Sequence, residues 1–267
     1  MAMRFCILGS GSSGNAALLV TENARVLVDA GFSARKLATL LANVGESLDR
    51  IDAVFLTHEH GDHSGGIDGL KKFPHIRFFA NTATARAVQS GLSYRPDWNC
   101  FETGARFRFR DLEVESFSVP HDAQEPVGFR FTTGFEGDLF APRHSMAWVT
   151  DLGHAPQNVR EHLRGCDVVV VEANHCPELL KADVHRPWPL KQRISGRHGH
   201  LSNEATRALL AEIASPQWRR VYLMHLSREC NTRAAVERAF ADLRALLAAC
   251  EFAIVGPGES TPFYEFG

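Results

Sequence analysis

Residues 58–63 read His58-Glu59-His60-Gly61-Asp62-His63 and directly follow the apolar run Ala53-Val54-Phe55-Leu56-Thr57. Because side chains two positions apart on extended backbone point to the same side, His58 and His60 face one way. Gly61 allows a sharp turn that brings Asp62 and His63 round to the same cavity. Imidazole and carboxylate groups so close in sequence bind zinc and similar divalent ions at little loop-closure cost. The stretch therefore predicts a metal site, with a histidine-rich surface turn as the weaker alternative.

Six apolar runs along the chain end in a residue that can bind a metal or move a proton. In α/β proteins, functional side chains gather at the carboxyl ends of the strands. One polar strand end would show only that the chain leaves the core there. Six such ends, all of them histidine or a carboxylate, indicate one shared edge. They are Asp29, His58, His121, Asp151, Glu172 and His225.

The composition is that of an ordinary globular protein, with 267 residues, 45% hydrophobic and 22% charged. The net charge of −2 neither indicates nor excludes a polyanionic substrate. Thirteen histidines are many for this length, and imidazole is the commonest metal ligand. Six scattered cysteines without a Cys-x-x-Cys pair favour reduced thiols in the cytoplasm over a disulfide framework. Since no apolar run approaches the roughly 20 residues of a membrane span, we expect no membrane association.

Short apolar runs alternating with helical patterns predict eleven strands and six helices. One of the predicted helices lies at 65–72. No linker-like segment divides the chain, so we expect one α/β domain over residues 1–267. Residues 9–14 match the Gly-x-Gly-x-x-Gly dinucleotide fingerprint, but two short apolar runs joined like a hairpin follow them instead of a helix. The glycines therefore predict a tight turn near the site, and we expect no nucleotide cofactor.

The chain resembles the metallo-β-lactamase superfamily, whose signature is His-x-His-x-Asp-His after an apolar strand. The resemblance implies an α/β fold, a four-layer αβ/βα sandwich with two mixed β-sheets flanked by helices and metals at one edge. It implies two divalent ions, for which histidine-rich ligation favours zinc, with manganese or iron as alternatives. A hydroxide bridging the ions would be the nucleophile. The implied ligands are His58, His60 and His121 for one ion, Asp62, His63 and His225 for the other, and Asp151 for both.

Further segments narrow the resemblance to the YycJ/WalJ family, and the match covers most of the chain in order. They are residues 9–15, 121–129, 172–175, 190–196, 199–203 and 225–227. The resemblance implies nuclease activity on DNA and similarity to tRNA 3′-processing endonucleases and phosphonate-pathway phosphodiesterases. The chain departs from the pattern at Cys176, where we expect an acidic residue, and at 133–145, which looks longer than the family's short hairpin. Both departures concern substrate contacts rather than the metal site.

Hydrolysis of a phosphodiester also requires a proton for the leaving oxygen. Glu172 ends an apolar strand, and His200 lies just before a helix that Ser202 can cap. We predict that the Glu172 carboxylate orients the imidazole of His200, which acts as the general acid, as in a similar pair of the tRNA-processing relatives. In the alternative interpretation, His200 only caps the turn and Glu172 pairs with an arginine. The predicted catalytic residues are Asp62, Glu172 and His200.

Three functions remain open at this point. The leading one is a phosphodiesterase or nuclease acting on nucleic acid, with DNA favoured. The second is a hydrolase of a small molecule such as a cyclic phosphodiester, a lactone or a thioester. The third is a non-catalytic metal-containing protein that binds nucleic acid, although structural zinc sites are usually closed and rich in cysteine. The sequence leaves the choice of DNA or RNA, exonuclease or endonuclease, and the oligomeric state open, a homodimer included.

Overall fold

The computed structural model describes residues 3–134 and 142–267, and two seven-stranded β-sheets form its centre. The strands of the first sheet are β1 (Arg4–Gly9), β2 (Ala16–Val20), β3 (Arg25–Val28), β4 (Ala53–Phe55), β5 (Arg77–Asn81), β6 (Asp97–Phe101) and β14 (Tyr264–Glu265). They lie in the order β14-β1-β2-β3-β4-β5-β6. The pairs from β14 to β3 are antiparallel, and those from β3 to β6 are parallel.

The second sheet has a matching division into an antiparallel and a parallel half. Its strands are β7 (Arg106–Phe109), β8 (Leu112–Ser118), β9 (Val127–Thr133), β10 (His144–Val149), β11 (Val168–Glu172), β12 (Arg220–Met224) and β13 (Glu251–Ile254). They lie in the order β13-β12-β11-β10-β9-β8-β7, antiparallel from β7 to β10 and parallel from β10 to β13. Parallel strands end at the same edge of their sheet, so each sheet offers several strand ends side by side.

Helices cover the outer face of each sheet. They are α1 (Ala34–Asn43), α2 (Gly61–Ser64), α3 (Thr82–Gln89), α4 (Gln157–Arg164), α5 (Pro177–Ala182), α6 (Trp188–Ser195), α7 (Asn203–Glu212) and α8 (Arg233–Leu246), with 3₁₀ turns at Leu48–Arg50 and Ile67–Lys72. Buried residues of α1 and α3 pack on the first sheet, and those of α4, α7 and α8 pack on the second. Within the described ranges, none of the helices has the length and apolarity needed to cross a bilayer.

The inner faces of the two sheets share one apolar core rich in aromatic residues. Phe55 of β4 stacks on Phe79 of β5 with ring centroids 4.6 Å apart. It also meets Phe129 and Phe131 of the opposite sheet edge-on, at 5.8 and 5.5 Å. Such contacts are the favoured geometry for aromatic pairs. The layers therefore run helix, sheet, sheet, helix, which confirms the four-layer sandwich implied by the resemblance.

All eleven predicted strands are present, but the sequence patterns missed β6, β7 and β14. Strands β6 and β7 are largely half-exposed or exposed, so their residues lack an apolar run. Helices α5 and α6 were also missed, because α6 buries none of its side chains and therefore shows no helical apolar stripe. The helix expected at 65–72 is a 3₁₀ turn at Ile67–Lys72. Of the segment 133–145, which differs from the short hairpin expected for the family, residues 135–141 lie outside the described residues.

Replacement of Phe55 by alanine tests the role of the inner core. We expect Phe55→Ala to lower the free energy of unfolding by about 3–5 kcal/mol, because removal of the buried ring leaves a cavity between the two sheets. Leu246→Ala is the matched control, since Leu246 is 74% exposed and its loss should change stability by less than about 0.5 kcal/mol. Urea unfolding followed by circular dichroism measures both variants, and equal midpoints would contradict the prediction.

Candidate metal centre

The predicted strand-end residues from both sheets meet at one edge of the sandwich. Asp29 and His58 follow the strands β3 and β4 of the first sheet, whereas Asp151 and His225 follow β10 and β12 of the second. The ligand-type atoms of His58, Asp151 and His225, with those of neighbouring residues, form four overlapping groups, and within each group all atoms lie within 4.8 Å of one another. The shared edge predicted from the sequence is therefore present.

The first group consists of His58, His60 and His121. Nδ1 of His60 lies 3.3 Å from Nε2 of His121, although the two residues are 61 positions apart in the chain. His60 precedes α2 in an extended conformation, and the short helix turns the chain back toward the first sheet. The short helix therefore provides the turn that the sequence predicts at Gly61, and His58 and His60 lie in the same group.

The second group consists of Asp62, His63 and His225. Oδ2 of Asp62 lies 3.5 Å from Nε2 of His63 and 3.6 Å from Nε2 of His225. Asp151 reaches both groups, since its Oδ2 is 3.2 Å from Nε2 of His63 and its Oδ1 is 3.9 Å from Nε2 of His121. The structure thus brings together all seven residues that the resemblance implies as ligands.

Two buried nitrogen atoms show that this donor set fits divalent cations. Nε2 of His58 and Nε2 of His225 are inaccessible to solvent and have no hydrogen-bond partner among the described residues. The other ring nitrogen of each is engaged: Nδ1 of His58 lies 3.0 Å from Oγ1 of Thr57, and Nδ1 of His225 lies 3.4 Å from Oε2 of Glu172. A buried polar atom left unpaired costs about 1–3 kcal/mol, which a bound cation would offset.

The Nδ1 atom of His63, like that of His58 and of His225, has a partner that orients the ring, in this case a buried carboxylate. Nδ1 of His63 donates a hydrogen bond of 2.7 Å to Oδ2 of Asp29, and both side chains are fully buried. Oδ1 of Asp29 also accepts the backbone N–H of Thr57, so the carboxylate cannot rotate away. Metal-ligating histidines typically donate their second N–H to such a partner. Asp29, one of the six strand ends that the sequence places at this edge, therefore supports a predicted ligand of the second group.

Three site residues adopt the left-handed backbone conformation, which is unfavourable for residues other than glycine. The φ angles of Asp29, Asp151 and His225 are 61°, 60° and 55°. Asp29 and His225 directly follow strands and Asp151 lies two residues after β10, so this conformation turns the chain where each strand ends. The cost is about 1–2 kcal/mol per residue, and such strain persists only where the surroundings hold it. One such restraint is the hydrogen bond of 2.8 Å from the His225 N–H to Oγ of Ser10.

The glycine-rich loop at 9–15 lies between the two sheets at the site. Ser10 contacts His225 of the second sheet, as described above, while the backbone N–H of Asn15 donates to the Asp62 carbonyl at 2.7 Å. Nδ2 of Asn15 lies 3.1 Å from Nε2 of His63. The sequence predicted a tight turn near the site but did not single out Ser10 or Asn15. Their position indicates that the loop holds ligands of the second group in place.

Glu172 and His200 form the predicted pair. Nδ1 of His200 donates to Oε2 of Glu172 at 3.0 Å, and Oε1 of Glu172 accepts the N–H groups of Leu152 and Leu201. Although burial opposes ionisation, the adjacent His200 and His225 lower the pKa of Glu172 to about 2. Burial likewise opposes the charged imidazole, but the carboxylates of Glu172 and Asp151 raise the pKa of His200 above its ordinary value. Among the described residues no arginine pairs with Glu172, so the arginine pairing of the alternative interpretation is wrong.

An open cavity of about 280 Å³ lies over the centre and gives solvent access to it. Asp62, Asp151 and His200 are part of its lining, and so is one face of α6. Cys176, the departure from the family pattern, precedes α5 and contacts Oε2 of Glu178 at 2.9 Å, away from the ligand groups. The seven predicted ligand residues therefore lie together despite that departure.

Comparison with known proteins identifies the family. The protein family described as Beta-lactamase superfamily domain matches residues 24–226. Exodeoxyribonuclease WalJ of Streptococcus pneumoniae is 34% identical over 237 residues, which cover 87% of this chain and 85% of that protein. The chain belongs to the WalJ/YycJ branch of the beta-lactamase superfamily.

A second relative from the WalJ/YycJ branch supports the same assignment. Exodeoxyribonuclease YycJ of Bacillus anthracis is 31% identical over 235 residues, covering 87% of this chain and 86% of that protein. The crystal structure of YhfI from Bacillus subtilis, a metallo-beta-lactamase fold protein, superposes with a TM-score of 0.72 over 100% of both chains at 15% identity. That likeness shows the fold. The resemblance to the WalJ/YycJ family inferred from the sequence is confirmed.

Replacement of Asp29 by asparagine tests whether it supports the metal centre of this WalJ/YycJ member. We expect Asp29→Asn to weaken zinc affinity about 10- to 100-fold, because His63 loses its carboxylate partner. Asparagine tolerates the left-handed backbone, so the fold should be retained. Competition with a chromophoric chelator measures affinity, and thermal unfolding checks the fold. Asp49→Asn, at an exposed position, is the control. Unchanged zinc affinity in a folded Asp29→Asn protein would exclude this role.

Proposed function

We propose that the protein is a dinuclear metal-dependent phosphodiesterase that hydrolyses nucleic acid, with DNA as its substrate. The observation that carries the proposal is Asp151, whose two carboxylate oxygens reach both groups of ligands. Two relatives that match most of this chain are both named exodeoxyribonucleases, which supports DNA as the substrate.

The ligand groups suit two divalent cations, with zinc as the favoured metal and manganese or iron as alternatives. His58, His60 and His121 would hold one cation, Asp62, His63 and His225 the other, and Asp151 both. Bound cations supply Lewis acidity and a water molecule that is deprotonated near neutral pH. Asp29, Thr57 and Gly199 orient the histidines through their second ring nitrogens. Because these partners are fixed before substrate binds, little reorganisation is needed during the reaction.

We propose that His200 protonates the leaving oxygen and that Glu172 positions it. The hydrogen bond from Nδ1 of His200 to Glu172 leaves Nε2 as the atom that can meet a substrate. The His200 side chain is 21% exposed and lines the cavity, whereas Glu172 is fully buried. Donation from the backbone N–H groups to the other Glu172 oxygen keeps the carboxylate in one orientation. This arrangement is typical of a general acid held by a carboxylate.

We also propose that residues 1–267 form one domain and that the protein is cytoplasmic. Met3 and Phe266 belong to the same inner core, so the two ends of the chain contribute to one folded unit. All six cysteines are free, which supports a reducing compartment.

Turnover of a substrate panel by the zinc- or manganese-loaded protein tests the proposed reaction. The panel contains 5′- and 3′-labelled single- and double-stranded DNA and RNA, a bis-aryl phosphate, a lactone, a thioester and a β-lactam. We expect hydrolysis of DNA and of the bis-aryl phosphate, and loss of both after chelation or in Asp62→Ala. Turnover of only the lactone or thioester would favour the small-molecule alternative. Binding of DNA with metal but no turnover would favour a non-catalytic protein.

The leaving group distinguishes a general acid from a structural histidine. We expect His200→Ala to slow DNA cleavage about 10²- to 10⁴-fold, because an alkoxide leaves poorly without a proton. Hydrolysis of bis(p-nitrophenyl) phosphate should fall much less, since p-nitrophenolate leaves unaided. His75→Ala, at an exposed position outside the cavity lining, is the control, and metal content is measured for each variant. Equal losses on both substrates, or none on DNA, would show that His200 is not the acid.

A further inference from the structure

The segment that precedes α7 carries a local positive charge that the chain as a whole lacks. Between His185 and Gly199 there are four basic residues and no acidic one, whereas the whole chain has a net charge of −2. We refer to residues 185–199 as the basic arm. Its basic residues are Arg186, Lys191, Arg193 and Arg197. A cationic segment on a weakly acidic protein is typical of a surface that meets phosphates.

One face of α6, within the basic arm, forms a wall of the metal cavity. Leu190, Arg193 and Ile194 line the cavity, and their spacing places them on the same side of the helix. Arg186, just before α6, lines it too. None of the α6 residues is buried, so the rest of the helix surface faces solvent. The basic arm therefore extends from the cavity onto the outer surface.

An exposed indole lies at the start of α6, two residues after Arg186. Trp188 is 66% exposed, whereas the side chains of Trp148 and Trp218 are buried in the core. Pro187 and Pro189 flank it, so the backbone that presents the indole has little freedom to lose on binding. Trp188 does not itself line the cavity, but Arg186 and Leu190, two positions before and after it, do. An exposed aromatic side chain beside a charged cavity is an arrangement by which proteins stack on nucleobases.

Two cations of the basic arm are available to an external anion. Nζ of Lys191 donates to the backbone carbonyls of Lys181 and Asp183, which leave its charge uncompensated. Among the ion pairs of the described residues, none involves Lys191 or Arg197. Arg186 and Arg193 are different, because Arg186 already pairs with Asp183 and Glu229, and Arg193 with Asp122. The unpaired charges thus lie on the same segment as the exposed indole.

We propose that the basic arm binds the substrate strand beside the metal centre and that Trp188 stacks on an unpaired nucleobase of that strand. This inference rests on the proposed function and adds that the efficiency of cleavage depends on the presence of bases in the strand. Lys191 and Arg197 contact phosphates of the same strand. A single strand, or the frayed end of a duplex, offers the open base face that stacking requires, whereas a paired internal base does not.

The test compares a single-stranded deoxyoligonucleotide with a strand of equal length in which abasic sites replace the bases. We expect the wild-type protein to have a higher kcat/KM on the base-bearing strand. In Trp188→Ala this preference should fall at least about 5-fold, because only the stacking contribution is removed. Trp188→Phe should restore part of the preference. Leu246→Ala, which removes another exposed apolar side chain far from the cavity in sequence, should behave as wild type.

Binding of a phosphorothioate-linked, cleavage-resistant strand gives a second readout that does not depend on turnover. We expect the strand to quench tryptophan fluorescence in the wild-type protein and to lose most of this quenching in Trp188→Phe, since two of the four tryptophans are buried. If the wild-type protein binds the strand with quenching but cleaves nothing, the proposed function fails and the stacking site stands.

If Trp188→Ala retains the wild-type preference for bases while DNA is cleaved, the inference fails and the proposed function stands. If the substitution instead changes the mass of the protein in light scattering, the exposed indole contacts a second copy of the chain, and the inference is likewise wrong.

Discussion

The packing of the two sheets against each other sets the distance between the two halves of the metal centre. Phe55 of the first sheet lies three residues before His58, and Trp148 of the second lies three residues before Asp151. Both side chains belong to the inner core. Protein interiors are close-packed and resist compression. A site residue only three positions after a buried core residue therefore has little freedom to shift. The geometry of the site is therefore a property of the core as much as of the ligands themselves.

The centre concentrates features that are unfavourable in isolation. It holds buried imidazole nitrogens without partners, buried carboxylates, and three left-handed residues at strand ends. The surrounding hydrogen bonds do not relieve these features; they maintain them, with Ser10 and Asp29 as the clearest cases. Strain maintained by its surroundings is typical of sites that bind a cation or a reacting group. The same bonds join segments far apart in the chain, so the site forms only when both sheets are in place.

The strand ends and the ligand quartet could be predicted because they depend on local patterns. An apolar run ending in histidine or a carboxylate is visible in the sequence, and the fold brings such ends together at one edge. The support of the ligands could not be predicted in this way. Asn15 and His63 are 48 positions apart, and Ser10 and His225 are 215 apart, so only tertiary structure reveals their contacts. Helix α6 escaped detection for the opposite reason, because it buries no side chain and has no apolar period.

The strand order of the first sheet has a consequence for biosynthesis. Strand β1 pairs with β2 on one side and with β14 on the other, through Arg4 and Phe5 opposite Glu265 and Tyr264. Strand β14 is therefore synthesised after all the other described strands of both sheets. Until then the nascent chain has an open strand edge, which is a template for pairing with other chains. The first sheet is thus completed only after the second sheet has been synthesised, and chains that still lack β14 would be targets for chaperones or proteases.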